Sequence, residues 1–171
     1  MSDQPLINKV AASGIITLDL EDLYPQGERI VFDLAPLLWQ GIALKESDLR
    51  TFVKEHDWSR YANAYVAVHC SVDAIIPTWA YMLVATHLQP VAAFITQGDA
   101  EQLERAIFTR FIHDLDTAPY SGGRVVVKGC STLPVPLNAY VELGTRLLPV
   151  VKSLMFGEPC STVPLYKAPK Q

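Results

Sequence analysis

Three cysteines occur in the 171 residues, Cys70, Cys130 and Cys160, and a serine follows each of them. A thiolate is both a ligand for soft metals and a nucleophile, so the pattern admits three readings. Three thiolates with a carboxylate as fourth ligand suit tetrahedral zinc or an iron-sulfur species. Asp73, three residues after Cys70, and Glu158, two before Cys160, are the carboxylate candidates. A thiol just before a helix N-terminus is instead activated by the unpaired N–H groups there, which suits a thiol-dependent transferase using Cys70 or Cys130. In the third reading cysteine is a small buried hydrophobe, Cys-Ser starts a helix, and the chain is a non-catalytic interaction domain. No CxxC pair is present, so convergence of the thiols has to come from the fold.

The elements that position them follow from periodicity. "RIVFDL" (29 to 34) reads as β, and a helix opened by Ser47 carries Leu49, Phe52, Val53 and His56 at helical spacing. The strand "YVAVHC" leads to a helix from about Pro77 to Gln89, which Pro90 closes because the residue before proline disfavours the α region. "VAAFIT" is the next strand. Asp99 with Gln102 three residues on then forms a capping box for a helix with an apolar face at Leu103, Ala106, Ile107 and Phe111. A turn at "APYSGG" precedes the strand "RVVVKGC". Strands alternating with helices indicate βαβ units, and hence a single three-layer α/β domain over residues 1–171 with a mainly parallel sheet.

Residues 65–99 laid over 125–158, with a one-residue gap after Cys-Ser, give eleven identities, among them Cys70/Cys130, Tyr81/Tyr140, Pro90/Pro149 and Gly98/Gly157. This is an internal βαβ duplication. It predicts that the helix after Pro136 stops at Leu148 and that residues 150–156 form a strand, so that Cys160 follows a strand's carboxyl end, as Cys70 and Cys130 do. The carboxyl edge is where open α/β sheets bind ligands.

Other polar and aromatic residues read as structural. His69 points away from Cys70 on a strand, His87 complements a helix C-terminus, and His56 and His113 fall at surface positions. Trp58, Trp79, Tyr81 and Tyr140 read as packing residues. "ITQGDAE" could offer N–H groups to an anion but has neither GxGxxG nor a Walker lysine. A net charge of -4 without a basic stripe excludes a phosphate-backbone binder, so no nucleic acid partner is expected. No apolar run reaches about 18 residues and the N-terminus is not signal-like, so a cytoplasmic protein with no membrane partner is expected.

"TLDLEDLYPQGER", "HDWSRY", "AIIPTWAYMLVATHL", "VKGCS" and "EPCSTVPLYK" together resemble the bacterial family catalogued as domain of unknown function 2480, over nearly the whole chain. The resemblance implies no established activity. It does imply a setting beside iron-sulfur cluster assembly genes, which favours metal or sulfur handling. Partner proteins of cluster assembly, or further copies of the chain, are the partners such a role would have. Whether the chain is an enzyme stays open.

Overall fold

The structure is a computed structural model that describes residues 14–129, 133–158 and 161–169. Among these are four α-helices and seven strands, most of them parallel, which makes the fold α/β. No helix among the described residues is long and apolar enough to cross a membrane.

Contacts divide the chain into two compact units. One, the inserted unit, is Pro25–Ile107; the other, the split unit, takes the chain up to Tyr24 and again from Phe108. The parallel strands accordingly lie in two sheets, not in one.

The inserted unit contains β2 (Arg29–Asp33), α1 (Glu46–Glu55), β3 (Tyr65–His69), α2 (Thr78–Leu88), β4 (Phe94–Gln97) and the start of α3 (Ala100–Asp114). Its sheet has the order β2-β3-β4, all parallel, with α1 and α2 in the connections between successive strands. Alternate residues face opposite layers. Phe32, Leu34, Val66 and Val68 pack under α1 and α2, while Ala67 meets Leu103 and Ile107 of α3. Val66, Ala67 and Val68 in the central strand are 2% exposed or less, the pattern of a strand covered on both faces. Asp99 and Gln102 do form the capping box, with N–H bonds to each other's side chains of 2.9 and 2.8 Å.

The split unit has β1 (Ile15–Leu18), β5 (Arg124–Val127), α4 (Leu137–Leu147), β6 (Ser153–Glu158) and β7 (Ser161–Lys167). Its sheet order is β1-β5-β6-β7, with β7 antiparallel and the rest parallel. Leu18, Val125, Val127 and Leu154 face Ala139, Leu143 and Leu147 of α4 and Phe108 and Ile112 of α3. The helix ends at its cap Leu148, as the duplication predicts, and the chain re-enters the sheet as β6, which starts three residues and ends two residues later than the expected 150–156.

The duplication is longer than the sequence alignment, and it has no gap. Asn63 N–H donates to Val91 O at 2.8 Å and Gly122 N–H to Val150 O at 2.7 Å; Ala93 N–H donates to Ala64 O and Lys152 N–H to Gly123 O, at 2.9 and 2.8 Å. Each second pair lies 59 residues beyond the first. The same shift superposes Tyr65↔Phe94 on Arg124↔Ser153, and Asp57, whose carboxylate accepts Ser59 N–H, on Asp116, which accepts Ala118 N–H. Asn63 and Gly122 both have positive φ, +59° and +66°, a turn conformation that asparagine and glycine tolerate best. Arg29↔Tyr65 and Ile15↔Arg124 then make β2 the counterpart of β1, so that Asp33 matches Asp19 and Leu34 matches Leu20. The gapped alignment over 65–99 and 125–158 is therefore corrected by one residue in its strand portion. Aligning Cys-Ser with Cys-Ser had pulled β5 out of register, and the residue standing where Cys70 stands is Gly129.

Candidate functional site

The carboxyl edge of the inserted unit is built around Asp33, the last residue of β2. Its Oδ1 accepts N–H bonds from Ala35 at 2.9 Å and Ser71 at 3.0 Å, and its Oδ2 accepts the Ser71 hydroxyl at 2.6 Å. Burial opposes ionisation of this carboxyl and is the largest influence, but the Ser71 and Ala35 bonds and the nearby His69 together outweigh it. They hold Asp33 below the usual carboxylate range. The clamp fixes the chain on both sides of Cys70, since Leu34 N–H also donates to His69 O at 2.8 Å.

Cys70 follows β3, is half-buried against the α1/α2 core, and donates its S–H to Val72 O at 3.3 Å. Tyr81 of α2 is its neighbour; burial and, less strongly, Cys70 push that phenol above its ordinary value. Asp73 is exposed on the loop beyond.

At the carboxyl edge of the split unit, Asp19 occupies the place of Asp33. It accepts Glu21 N–H at 2.9 Å and pairs through Oδ2 with Lys128 Nζ at 2.6 Å. Lys128 stands where His69 stands. The Asp19 hydrogen bond and charge raise its pKa, burial opposes this, and Glu158 and Asp22 add to the rise. Glu158 ends β6 and pairs with Ser161 at the turn into β7. Gly129 leaves no room for a side chain, because a Cβ there would lie 2.7 Å from the Phe156 ring.

Cys130 and Cys160 lie outside the described residues, so of the predicted ligands Cys70, Asp73 and Glu158 have described positions. Cys70 and Asp73 belong to one unit and Glu158 to the other. The expectation that all three thiols line one sheet edge assumed one sheet; β3 belongs to one sheet, and β5 and β6 to another. Among the described residues no group of three or more His, Cys, Asp or Glu could hold a metal ion.

His56 is not at the surface position expected of it; it lies on the packed side with Phe52, as its helical spacing with Leu49, Phe52 and Val53 implies. Its ring packs among Phe52, Phe32, Trp58 and Tyr61, its Nε2 lies 3.1 Å from the Tyr61 hydroxyl, and burial first, then Arg60, lowers its pKa. His87 lies on Trp58 with ring centroids 5.3 Å apart, and its Nδ1 is 2.9 Å from Leu83 O. His113 is exposed, as expected. The Asp33 and Asp19 anchors were missed in the sequence, although the paired strings "IVFDL" and "ITLDL" carry them.

Against known proteins, a family profile described as a protein of unknown function, DUF2480, matches residues 4–168. The chain belongs to this family. The DUF2480 match spans both units, so the duplication lies within the family's own extent. No curated protein matches the chain, and no solved structure does.

Proposed function

We propose that this DUF2480 protein is a thiol-bearing protein of metal or sulfur handling that binds zinc or an iron-sulfur species, in cluster assembly or carriage. Its proposed ligands are Cys130, Cys160 and Glu158, with Cys70 and Asp73 as a separate thiol and carboxylate on the inserted unit. The observation that supports this is the pairing of β5 with β6. They are adjacent and parallel, so the chain leaves both at the same edge, and residue 130 follows the end of β5 by three positions and residue 160 the end of β6 by two. Soft sulfur ligands select zinc and iron over hard cations, and fewer than four protein ligands leave a position open for transfer.

The test is metal analysis and an absorption spectrum of protein purified without oxygen. Near-stoichiometric zinc or iron is expected, lost in Cys130→Ser and Cys160→Ser and retained in Cys70→Ser. Metal-free protein under these conditions overturns the reading. Rapid alkylation of Cys70 alone in such a preparation would favour the thiol-dependent transferase instead.

A further inference from the structure

We propose that the groove between α2 and the outer edge of β4 docks an extended segment of a partner protein, which adds antiparallel to β4 and lays an aromatic side chain against Ile95. The groove holds about 260 Å³ and is lined by Val68, Tyr81, Met82, Ala85, Ile95 and Thr96, with Gln97 at its end.

The duplication supplies an internal control. In the split unit the counterparts of Tyr81 and Gln97 are Tyr140 and Phe156, and their rings meet edge to face at 5.8 Å. The counterpart of Ile95 is Leu154, which pairs with Tyr166 of β7 and is only 2% exposed. An aromatic-bearing antiparallel strand thus completes this architecture where it is present. In the inserted unit Gln97 replaces the phenylalanine, Ile95 stays half-buried, and Met82 is 66% exposed.

The backbone of β4 is ready for such a strand. Phe94 N–H and Gly98 N–H donate inward to Ala64 O and Val68 O, at 3.4 and 3.1 Å. Alternation along a parallel strand then turns the N–H and C=O of Ile95 and Gln97 outward. Among the described residues no strand pairs with that edge. An unpaired edge beside an apolar groove is the geometry of β-strand addition. A second copy pairing through its own β4 would bring no ring to the groove, because the β4 residues on the α2 face are Ile95 and Gln97. Asp99 and Glu101 are exposed where an antiparallel segment would begin, so a basic residue suits its first position.

The probe is a capped synthetic peptide of residues 161–169, which is β7 with the two residues after it, titrated into the isotope-labelled full chain and followed by amide chemical shifts. Saturable shifts are expected at Met82, Ala85, Ile95 and Gln97, with binding about tenfold weaker for the Tyr166→Ala peptide. Gln97→Pro, which removes one outward N–H at the end of the groove and keeps Ile95 and the α2 lining, should abolish them while the rest of the spectrum is kept. Ile95→Lys should do the same. Absence of saturable shifts at these amides with millimolar peptide, or equal binding of both peptides, overturns the proposal. So does sedimentation showing a wild-type dimer that Ile95→Lys dissociates, which would give the edge to a second copy. The groove lies in the inserted unit, and Cys130→Ser should bind the peptide unchanged.

Discussion

From β3 and from β5 onward the two units follow one path, strand, helix, strand, and end it differently. After β6 the split unit turns back and adds β7, which covers Leu154; after β4 the inserted unit passes into α3 and leaves Ile95 beside an open groove. Positions that agree are those the architecture needs: Ala80/Ala139, Val84/Leu143 and Leu88/Leu147 face the sheet and are 0% exposed in both. At the carboxyl edges the chemistry differs, with Lys128 in the place of His69, Gly129 in that of Cys70 and Phe156 in that of Gln97, and the units differ elsewhere too, as at Tyr65/Arg124 and Phe94/Ser153. One framework has been kept in duplicate while its two edges have been given different chemistry.

If the cores are equivalent, Leu88→Ala and Leu147→Ala should each destabilise by about 2–5 kcal/mol in urea unfolding, since both leave a cavity in a fully buried site. A cost below about 1 kcal/mol for one of them would break the equivalence.

The paired aspartates should separate the units. Asp33→Ala removes three charge-assisted bonds and is expected to cost about 1.5–3 kcal/mol. Asp19→Ala, whose lysine partner is 35% exposed, should cost less. Because the folded Asp33 pKa lies below its unfolded value, the stabilisation is complete above that unfolded value and is lost as pH falls through the folded one, below about pH 4. Asp33→Ala should flatten acid unfolding there.

At the shared turn, Asn63→Ala should cost about 1–2 kcal/mol through its positive φ, whereas Asn63→Gly, which copies Gly122, should be nearly neutral. The smallest effect concerns His56, which has no histidine counterpart. Its lowered folded pKa means that the unfolded state takes up protons first, so stability falls as pH drops below about 6.5. Melting temperatures measured from pH 7.5 to 5.5 should fall less in His56→Gln than in the native chain.

Much of the framework can be read from the chain itself. Pro90 and Pro149 mark where the helices stop, the Asp99 box marks where α3 starts, and the duplication finds β6 inside what looks like one long helix. β7 is hard to see because Pro164 sits within it; proline is tolerated there because the strand is at an edge and its register against β6 jumps at Leu165, between Tyr166 opposite Leu154 and Pro164 opposite Met155. β1 is hard to place because its strand partner, β5, follows it by about a hundred residues, with the whole inserted unit between them. The Cys-Ser pairs misled the alignment by one residue, since a match of rare residue types outweighed the register that valines 66 and 68 share with 125 and 127. Of the site, the thiols were evident from composition, while the anchors Asp33 and Asp19 depend on strand pairing that periodicity does not report.

On the proposed function, Cys130 and Cys160 act together and Cys70 acts apart from them. Timed alkylation of the three thiols in protein kept free of oxygen, followed by mass spectrometry with and without a chelator, tests it most directly. Cys130 and Cys160 should be protected together and released together by the chelator, while Cys70 reacts at one rate throughout. Three thiols that react independently of the chelator, or protection of Cys70 alone, would contradict the account.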